Sequence, residues 1–209
     1  DLSVSRNIRY SISDTRDILK KSQNKFLEKI KRRISFYNFK GGVGKTTLCY
    51  QISTHLALMG FDVLVIDADP QGHLSTSLGF NTDDNFLTLY DIVVGDVPIC
   101  DVIKNIFPGL DCIPSNISLS RLEPALNEVR IRENKILEVL QEVEEKYDFI
   151  VFDSNPTISH INRNIVLASD LLCVVVETQA YALNGLKILL ADLDKFCKEI
   201  FVEAPQLVI

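Results

Sequence analysis

An apolar run, Ile34-Ser35-Phe36-Tyr37-Asn38-Phe39, passes directly into Lys40-Gly41-Gly42-Val43-Gly44-Lys45-Thr46-Thr47, and a helix-like run continues to Leu58. A strand entering a glycine-rich turn that ends in Gly-Lys-Thr allows few folds, because the motif demands a strand, a loop and a helix in that order. Small residues let successive backbone N–H groups converge on phosphate oxygens, and the following helix aims its positive dipole end at them. In this cradle, built from Lys40, Gly41, Gly42, Val43, Gly44 and Thr47, Lys45 reaches the β- and γ-phosphates and the Thr46 hydroxyl sits on Mg²⁺. The common pattern asks for a glycine five residues before Gly44, and position 39 is Phe. A second lysine, Lys40, stands at the mouth of the loop instead. An additional cation beside the phosphates calls for a mechanistic reason.

The pattern then alternates. Phe61–Asp67 and Phe149–Asp153 are nearly continuous apolar runs, the mark of strands buried on both faces of a parallel sheet. Shorter strands are expected at 110–114, 171–176 and 207–209, and helices at 131–146, 162–168 and 182–200. Gly60 is expected to stop the helix after the glycine-rich loop. Strands and helices alternating at these lengths predict an α/β fold, a doubly wound, mostly parallel sheet flanked by helices. Residues 86–146 are the least regular, and the pieces between Pro98, Pro108, Pro114 and Pro124 read as peripheral helices. Ahead of the sheet, 13–33 reads as a helix capped by Ser13 or Asp14, with Ile18, Leu19, Phe26, Leu27 and Ile30 near helical spacing.

Two of these strands end in carboxylates. Asp153 follows Phe149-Ile150-Val151-Phe152, the apolar-strand-then-Asp form of the Mg²⁺-supporting carboxylate in phosphate-loop NTPases. Asp67 and Asp69 lie two apart in Asp67-Ala68-Asp69-Pro70-Gln71-Gly72, at a strand's carboxyl end, where ligands of open α/β sheets bind. Behind one phosphate loop, the two carboxylate-ending strands support one another as parts of a single site.

Bulk properties set the frame. The 209 residues are 46% hydrophobic and 24% charged, which fits one globular domain with a substantial core. Residues 1–33 hold ten Lys/Arg against four Asp/Glu, whereas the remaining 176 hold twelve against twenty-four. The chain therefore divides into a basic N-terminal helical segment, 1–33, and an acidic phosphate-loop domain, 34–209. A solvated helix face explains the basic segment most simply, with a nucleic-acid contact as the alternative. Cys49, Cys100, Cys112, Cys173 and Cys197 are widely spaced, mostly within apolar runs, and read as small core residues of a reducing compartment. His55, His73 and His160 have no metal-ligand spacing. No apolar stretch reaches the roughly 20 residues of a membrane span and no signal-peptide core is visible, so the cytoplasm is expected. A start at Asp1 without Met, and an end inside a strand-like run, suggest a piece of a longer polypeptide.

Lys40–Thr47, Asp67-Ala68-Asp69-Pro70-Gln71-Gly72 and Tyr147-Asp148-Phe149-Ile150-Val151-Phe152-Asp153 together resemble the deviant-Walker-A ATPases of the ParA/Soj/MinD group. The resemblance extends to Thr88–Ile92, to Leu110–Asn116 and to Glu177–Leu186, and covers about 34–209. Asp-Pro-Gln-Gly and Pro-Ser-Asn are more typical of the ParA/Soj branch. The resemblance implies that Lys40 is the signature lysine, which crosses a dimer interface to the partner's nucleotide. Lys45 would then be the phosphate-loop lysine and Thr46 the Mg²⁺ ligand. Asp69 would position the attacking water, with Asp67 and Asp153 supporting Mg²⁺. A cation delivered in trans can raise a phosphoryl-transfer rate by several orders of magnitude, so hydrolysis would require dimerisation.

The resemblance further implies ATP and Mg²⁺ as cofactors, a homodimer formed on ATP binding, nonspecific DNA held by that dimer, and a ParB-like partner that stimulates hydrolysis and release. The function so implied is that of a plasmid or chromosome partition ATPase, cytoplasmic, nucleoid-associated when ATP-bound, with no membrane expected. The alternatives are a nucleotide-gated DNA-binding regulator, with 1–33 as the tail of its reader, and a MinD-like membrane-positioning ATPase. Two departures stand out. Asn155 occupies a position where the family usually has a second proline, which predicts a looser loop after Asp153, and His73 replaces a frequent asparagine. The family's adenine-contacting loop and late basic residues would fall beyond Ile209.

Overall fold

The computed structural model describes residues 10–23, 32–128, 134–157, 159–200 and 202–209. Among them a seven-stranded sheet has the order β3-β4-β2-β5-β1-β6-β7. Its strands are β1 (Arg32–Tyr37), β2 (Val63–Ala68), β3 (Lys104–Phe107), β4 (Leu110–Ile113), β5 (Phe149–Ser154), β6 (Leu171–Val174) and β7 (Gln206–Val208). All neighbours pair in parallel except β3, which runs antiparallel to β4. The doubly wound α/β sheet expected from the alternating pattern is present.

The apolar runs are buried on both faces, as their lack of alternation required. Every residue of β2 is buried. Leu64, Ile66, Ile150 and Phe152 face one core. The residues between them, Val63, Val65 and Val151, face another with Ile34, Phe36 and Cys49. The first layer is closed by α4 (Leu89–Val93), α5 (Ile99–Val102), α6 (Leu122–Glu128), α7 (Lys135–Leu140) and α8 (His160–Ala168), the second by α2 (Lys45–Leu58) and α3 (His73–Ser77). A third cluster joins Leu172 and Val174 of β6 to Leu189, Leu193 and Phe196 of α9 (Ala180–Glu199). Cys49, Cys112 and Cys197 are buried and Cys173 half-buried, whereas Cys100 is exposed; all five are free.

Four local readings are corrected. The first helix, α1, spans Ile12–Gln23; residues 24–31 lie outside the described residues, and Arg32 and Arg33 belong to β1. Its cap is Ser11: the Ser11 hydroxyl accepts from Asp14 N (3.1 Å), and the Asp14 carboxylate accepts from Ser11 N (2.9 Å). This reciprocal arrangement satisfies two terminal donors at once, which a cap at Ser13 would not. Of the helix expected over 131–146, residues 131–133 lie outside the described residues, and the rest is α7 followed by a 3₁₀ turn at Glu144–Lys146. The tightened end lets Tyr147 bury, with its hydroxyl (2.7 Å) and Lys146 Nζ (3.0 Å) both on Asp111. In 86–146 the helices α4 to α6 are interrupted by β3, an edge strand. Pro108 and Gly109 (φ 94°) connect β3 to β4, a residue pair suited to a type II turn.

α1 is docked on the body by a buried arginine. Arg16 is 5% exposed. Its guanidinium donates to the carbonyls of Ala57 and Phe61 and pairs with Asp62 at 2.8 Å, while Lys20 reaches the other Asp62 oxygen at 2.6 Å. Gly60 ends α2 as expected and also lets α1 approach, since a Cβ there would lie 3.3 Å from Arg16 O and Lys20 N. With Arg33, which pairs with Asp170 at 2.8 Å, three cations of the basic segment are engaged internally.

Candidate nucleotide site

Parallel strands all end at one edge of a sheet, and the register decides which ends are neighbours. Asp153 of β5 is paired with Asp67 of β2 on one side and with Phe36 of β1 on the other. β1 ends at Tyr37, next to Phe36, and the glycine-rich loop begins three residues later at Lys40, so the loop and both carboxylate-ending strands converge. Gly42 (φ 75°) and Gly44 (φ 97°) adopt left-handed backbone that other residues resist. Gly44 is the N-cap of the fourteen-residue α2, with no side chain capping it. The first-turn amides are thereby left for an anion. Lys45 is buried, and its Nζ donates to the carbonyl of Lys40 at 3.0 Å. Burial lowers its pKa, and the charges of Asp153 and Asp69 partly offset this.

A cleft of about 760 Å³ opens here between three segments: the loop from Gly41 to Thr47, the stretch from Asp69 to His73, and the β5 exit from Ser154 to Thr157. Of the sequence-predicted site residues, Gly41, Gly42, Gly44, Lys45, Thr46, Thr47 and Asp69 line it directly. Val43 lies within the loop, Asp67 and Asp153 lie buried behind the lining, and Lys40 stands outside. A second cavity of about 560 Å³ sits beside Asp62, Asp111, Lys146 and Tyr147, whose polar groups are already bonded to protein partners.

The three aspartates differ in their partners. Asp67 is fully buried, and its oxygens accept from Asp69 N (3.1 Å), Ser75 N (2.8 Å) and Ser75 Oγ (2.7 Å). Burial raises its pKa to about 6 against the pull of those donors. Asp69 is half-buried and held by its backbone: its carbonyl accepts from Ser115 Oγ (2.7 Å), and Ser115 N donates to Ser75 Oγ (2.8 Å). Ser115, in the Pro114-Ser115-Asn116 stretch at the end of β4, thus acts as a brace for Asp69. Asp153 is 1% exposed, and neither carboxylate oxygen has a hydrogen-bond partner among the described residues. Burial raises its pKa to about 7, with the Thr46 hydroxyl lowering it and Asp67 and Asp69 adding to the rise. An unpartnered buried carboxylate beside a threonine hydroxyl and a phosphate loop fits a magnesium ion. Magnesium takes one or two carboxylates, keeps waters and shares phosphate oxygens. Among the described residues no group of three or more His, Cys, Asp or Glu forms a preassembled metal cage.

Sequence reasoning missed the residues that hold the mouth and the far wall. Lys40 Nζ pairs with Glu177 at 2.7 Å, Lys40 N donates to Asn38 Oδ1 at 3.0 Å, and Asn38 Nδ2 donates to Val175 O at 2.6 Å. Asn38 sits in the apolar run and could have been noticed as its one amide; nothing local announces Glu177 as its neighbour. The looser loop expected from Asn155 is not found. Asn155 is buried, its Oδ1 accepts from Thr157 Oγ1 (2.8 Å), and its carbonyl accepts from Asn162 Nδ2 (2.9 Å). Side-chain bonds supply the restraint that a proline ring would impose. His73 lines the cleft at the start of α3.

Gly72 is the tightest point of the Asp69 segment. Its φ is 63°, and a Cβ there would meet Thr82 Cγ2 at 2.6 Å and Ser115 O at 2.7 Å. Gly72→Ala is expected to lower stability by about 2–3 kcal/mol, combining left-handed backbone strain with overpacking. For a chain of this size that is a fall in Tm of about 4–12 °C, read by thermal melting. An unchanged melt would mean that Thr82 and Ser115 yield without loss.

A family model described as AAA domain matches residues 31–207. The chain is 41% identical over 159 residues to the cell division protein PomZ of Myxococcus xanthus, across 76% of this chain and 50% of that protein. It is 35% identical over 167 residues to the chromosome partitioning protein ParA of Caulobacter vibrioides, across 78% and 62%. Among solved structures it is similar to cobyrinic acid a,c-diamide synthase from Mycobacterium smegmatis with bound ATP analog and magnesium. That likeness has a TM-score of 0.79 at 27% identity, over 85% of this chain and 72% of that one. The chain spans between half and two thirds of the length of these two curated relatives. Because the match runs from β1 into β7 and takes in the whole cleft, the chain belongs to this AAA-domain family, within the ParA/Soj group of deviant-Walker-A ATPases.

Proposed function

We propose that the chain carries the ATP-hydrolysing core of a ParA-type partition ATPase, whose nucleotide state sets its assembly state. The observation that carries this reading is the unpartnered Asp153 carboxylate set behind a phosphate loop whose mouth bears a second, outward lysine. The ATP analog and magnesium of the Mycobacterium smegmatis structure and the chromosome partitioning role in the Caulobacter vibrioides protein's name support it.

In this reading the α2 amides and the loop from Gly41 to Thr47 receive the phosphates. Lys45 leaves the Lys40 carbonyl for the β- and γ-phosphates. Thr46 and Asp153 would hold magnesium, which would supply charge neutralisation for the phosphates. Asp67 supports that site from behind by fixing the Asp69 backbone through its amide. Asp69, braced by Ser115, orients the attacking water and accepts its proton. Lys40 exchanges Glu177 for the partner protomer's nucleotide, so two protomers complete each other's sites.

The ATP dimer then holds nonspecific DNA through salt-sensitive phosphate contacts, and a ParB-like partner stimulates hydrolysis and release, all in the cytoplasm and on the nucleoid. The engagement of Arg16 and Lys20 with Asp62 weighs against the basic segment as a sequence-reading tail. Among the described residues no helix is long and apolar enough to cross a membrane.

The test is the solution mass of the protein with ADP and with a nonhydrolysable ATP analogue, each with and without DNA. A monomer with ADP, a dimer with the analogue and DNA retention only in the latter state are expected. One mass under all four conditions would end the proposal.

A further inference from the structure

Glu123 takes no part in the chemistry just described, yet its carboxylate is placed on the helix that anchors one wall of the cleft. From α6 it accepts hydrogen bonds from the backbone amides of His160 (2.8 Å) and Ile161 (3.1 Å). These are the first two residues of α8, whose amides have no acceptor within their own helix. The next amide, Asn162 N, goes to Ser159 Oγ at 3.1 Å. A carboxylate at this end also faces the positive end of the helix dipole.

α8 is the far anchor of the segment that leaves β5 after Asp153, and Ser154, Asn155 and Thr157 of that segment line the cleft. Asn162, fully buried in the first turn of α8, donates its side-chain amide to the carbonyls of both Asn155 and Thr157. The wall of the cleft therefore follows the first turn of α8, and that turn is held by Glu123. One turn further on, buried Asn164 accepts from Ile136 N of α7 at 3.3 Å and donates to His160 O at 2.9 Å. Helices α6, α7 and α8 are thus joined by side-chain caps into one support behind the segment after Asp153.

We propose that Glu123 is a positioning residue for ATP hydrolysis, acting through α8 and Asn162 to fix the 154–157 wall at the phosphate end of the cleft. The inference rests on the reading of this cleft as the ATP site. Its distinguishing feature is that Glu123 touches neither the cleft nor any reacting group, so its removal should act on turnover more than on nucleotide capture. A misplacement of an ångström at a reacting centre can lower the rate by up to a hundredfold, and part of that range is expected from a slackened wall.

The experiment compares wild type with Glu123→Ala and Glu123→Gln, at a temperature well below each variant's melting point. Glu123→Ala is expected to lower kcat about tenfold with KM changed less than about threefold, and to speed hydrogen exchange at the amides of Asn155 and Thr157. Glu123→Gln keeps one acceptor oxygen and should recover part of both effects. A lower Tm with kcat and exchange unchanged would reduce Glu123 to a stabilising cap and overturn the proposal. If wild type itself fails to hydrolyse ATP, the ATPase reading falls, while the exchange comparison still decides whether Glu123 anchors the wall.

Discussion

Lys40→Ala is expected to reduce steady-state ATP hydrolysis by about 10²- to 10³-fold while nucleotide affinity changes less than about tenfold. The asymmetry follows from where the lysine stands. Its side chain is 54% exposed and outside the cleft of its own protomer, paired with Glu177 across 2.7 Å. An ion pair this exposed contributes about 0–1 kcal/mol, so little holds the ammonium in place and little stability is lost with it. The same charge set against a transferring phosphoryl group in a water-excluded interface acts where field strength is far greater. Wild-type activity per molecule should rise with enzyme concentration as protomers pair, and the variant's should be low and flat. Full activity in the variant, or wild-type activity indifferent to dilution, would show that the lysine works in cis or not at all.

Asp153→Asn should have two opposed effects, a more stable metal-free protein and a site that no longer couples magnesium to nucleotide. Burial raises the Asp153 carboxyl from 3.8 to about 7, with the Asp67 and Asp69 charges adding to the rise and the Thr46 hydroxyl and Lys45 offsetting only part of it. The folded state therefore keeps a proton between about pH 4 and 7 that the unfolded chain has released. Its contribution to stability is fully present below about pH 4 and is lost as pH rises through about 7. At pH 8 the wild-type protein carries an uncompensated buried charge, and asparagine removes it. A gain of about 1–3 kcal/mol is expected in chelator. Asp67, raised to about 6 by burial, contributes with the same sign, and because its charge also raises Asp153 the difference between the two proteins includes the coupling of this pair. Magnesium and nucleotide should raise the wild-type Tm and leave the variant's nearly unmoved, and hydrolysis should fall at least about a hundredfold. Thermal melts from pH 5 to 8, with chelator or with magnesium and an ATP analogue, check both halves. A variant less stable than wild type in chelator would mean that Asp153 has a structural donor after all.

Where the sequence was legible, the signal was local. A phosphate loop is a contiguous string whose glycines, lysine and threonine each answer to one feature of a bound phosphate. The strands β2 and β5 declare themselves by unbroken apolar residues, since burial on both faces leaves no position for water. Asp67, Asp69 and Asp153 could be placed at strand ends from the same runs. Where it was illegible, the partner lay far along the chain. Asp62 is 46 residues from Arg16, and Glu177 is 137 from Lys40. The α1 cap was legible but overlooked: Ser11 has an acid three residues on, Asp14, whereas three residues after Ser13 stands Arg16.

Chain chemistry alone thus settled that this molecule has a phosphate cradle at the end of a buried parallel strand, because those properties are written within runs of six to eight residues. It could not show how differently the three aspartates are surrounded. That depended on strand order, which puts β5 between β1 and β2 and sets Asp153 beside Asp67. It depended as well on the donors each carboxylate meets: Ser75 and an amide for Asp67, and the nearby Thr46 hydroxyl for Asp153. A buried charge acquires its function from what it lacks as much as from what surrounds it, and only packing in three dimensions decides which donors arrive.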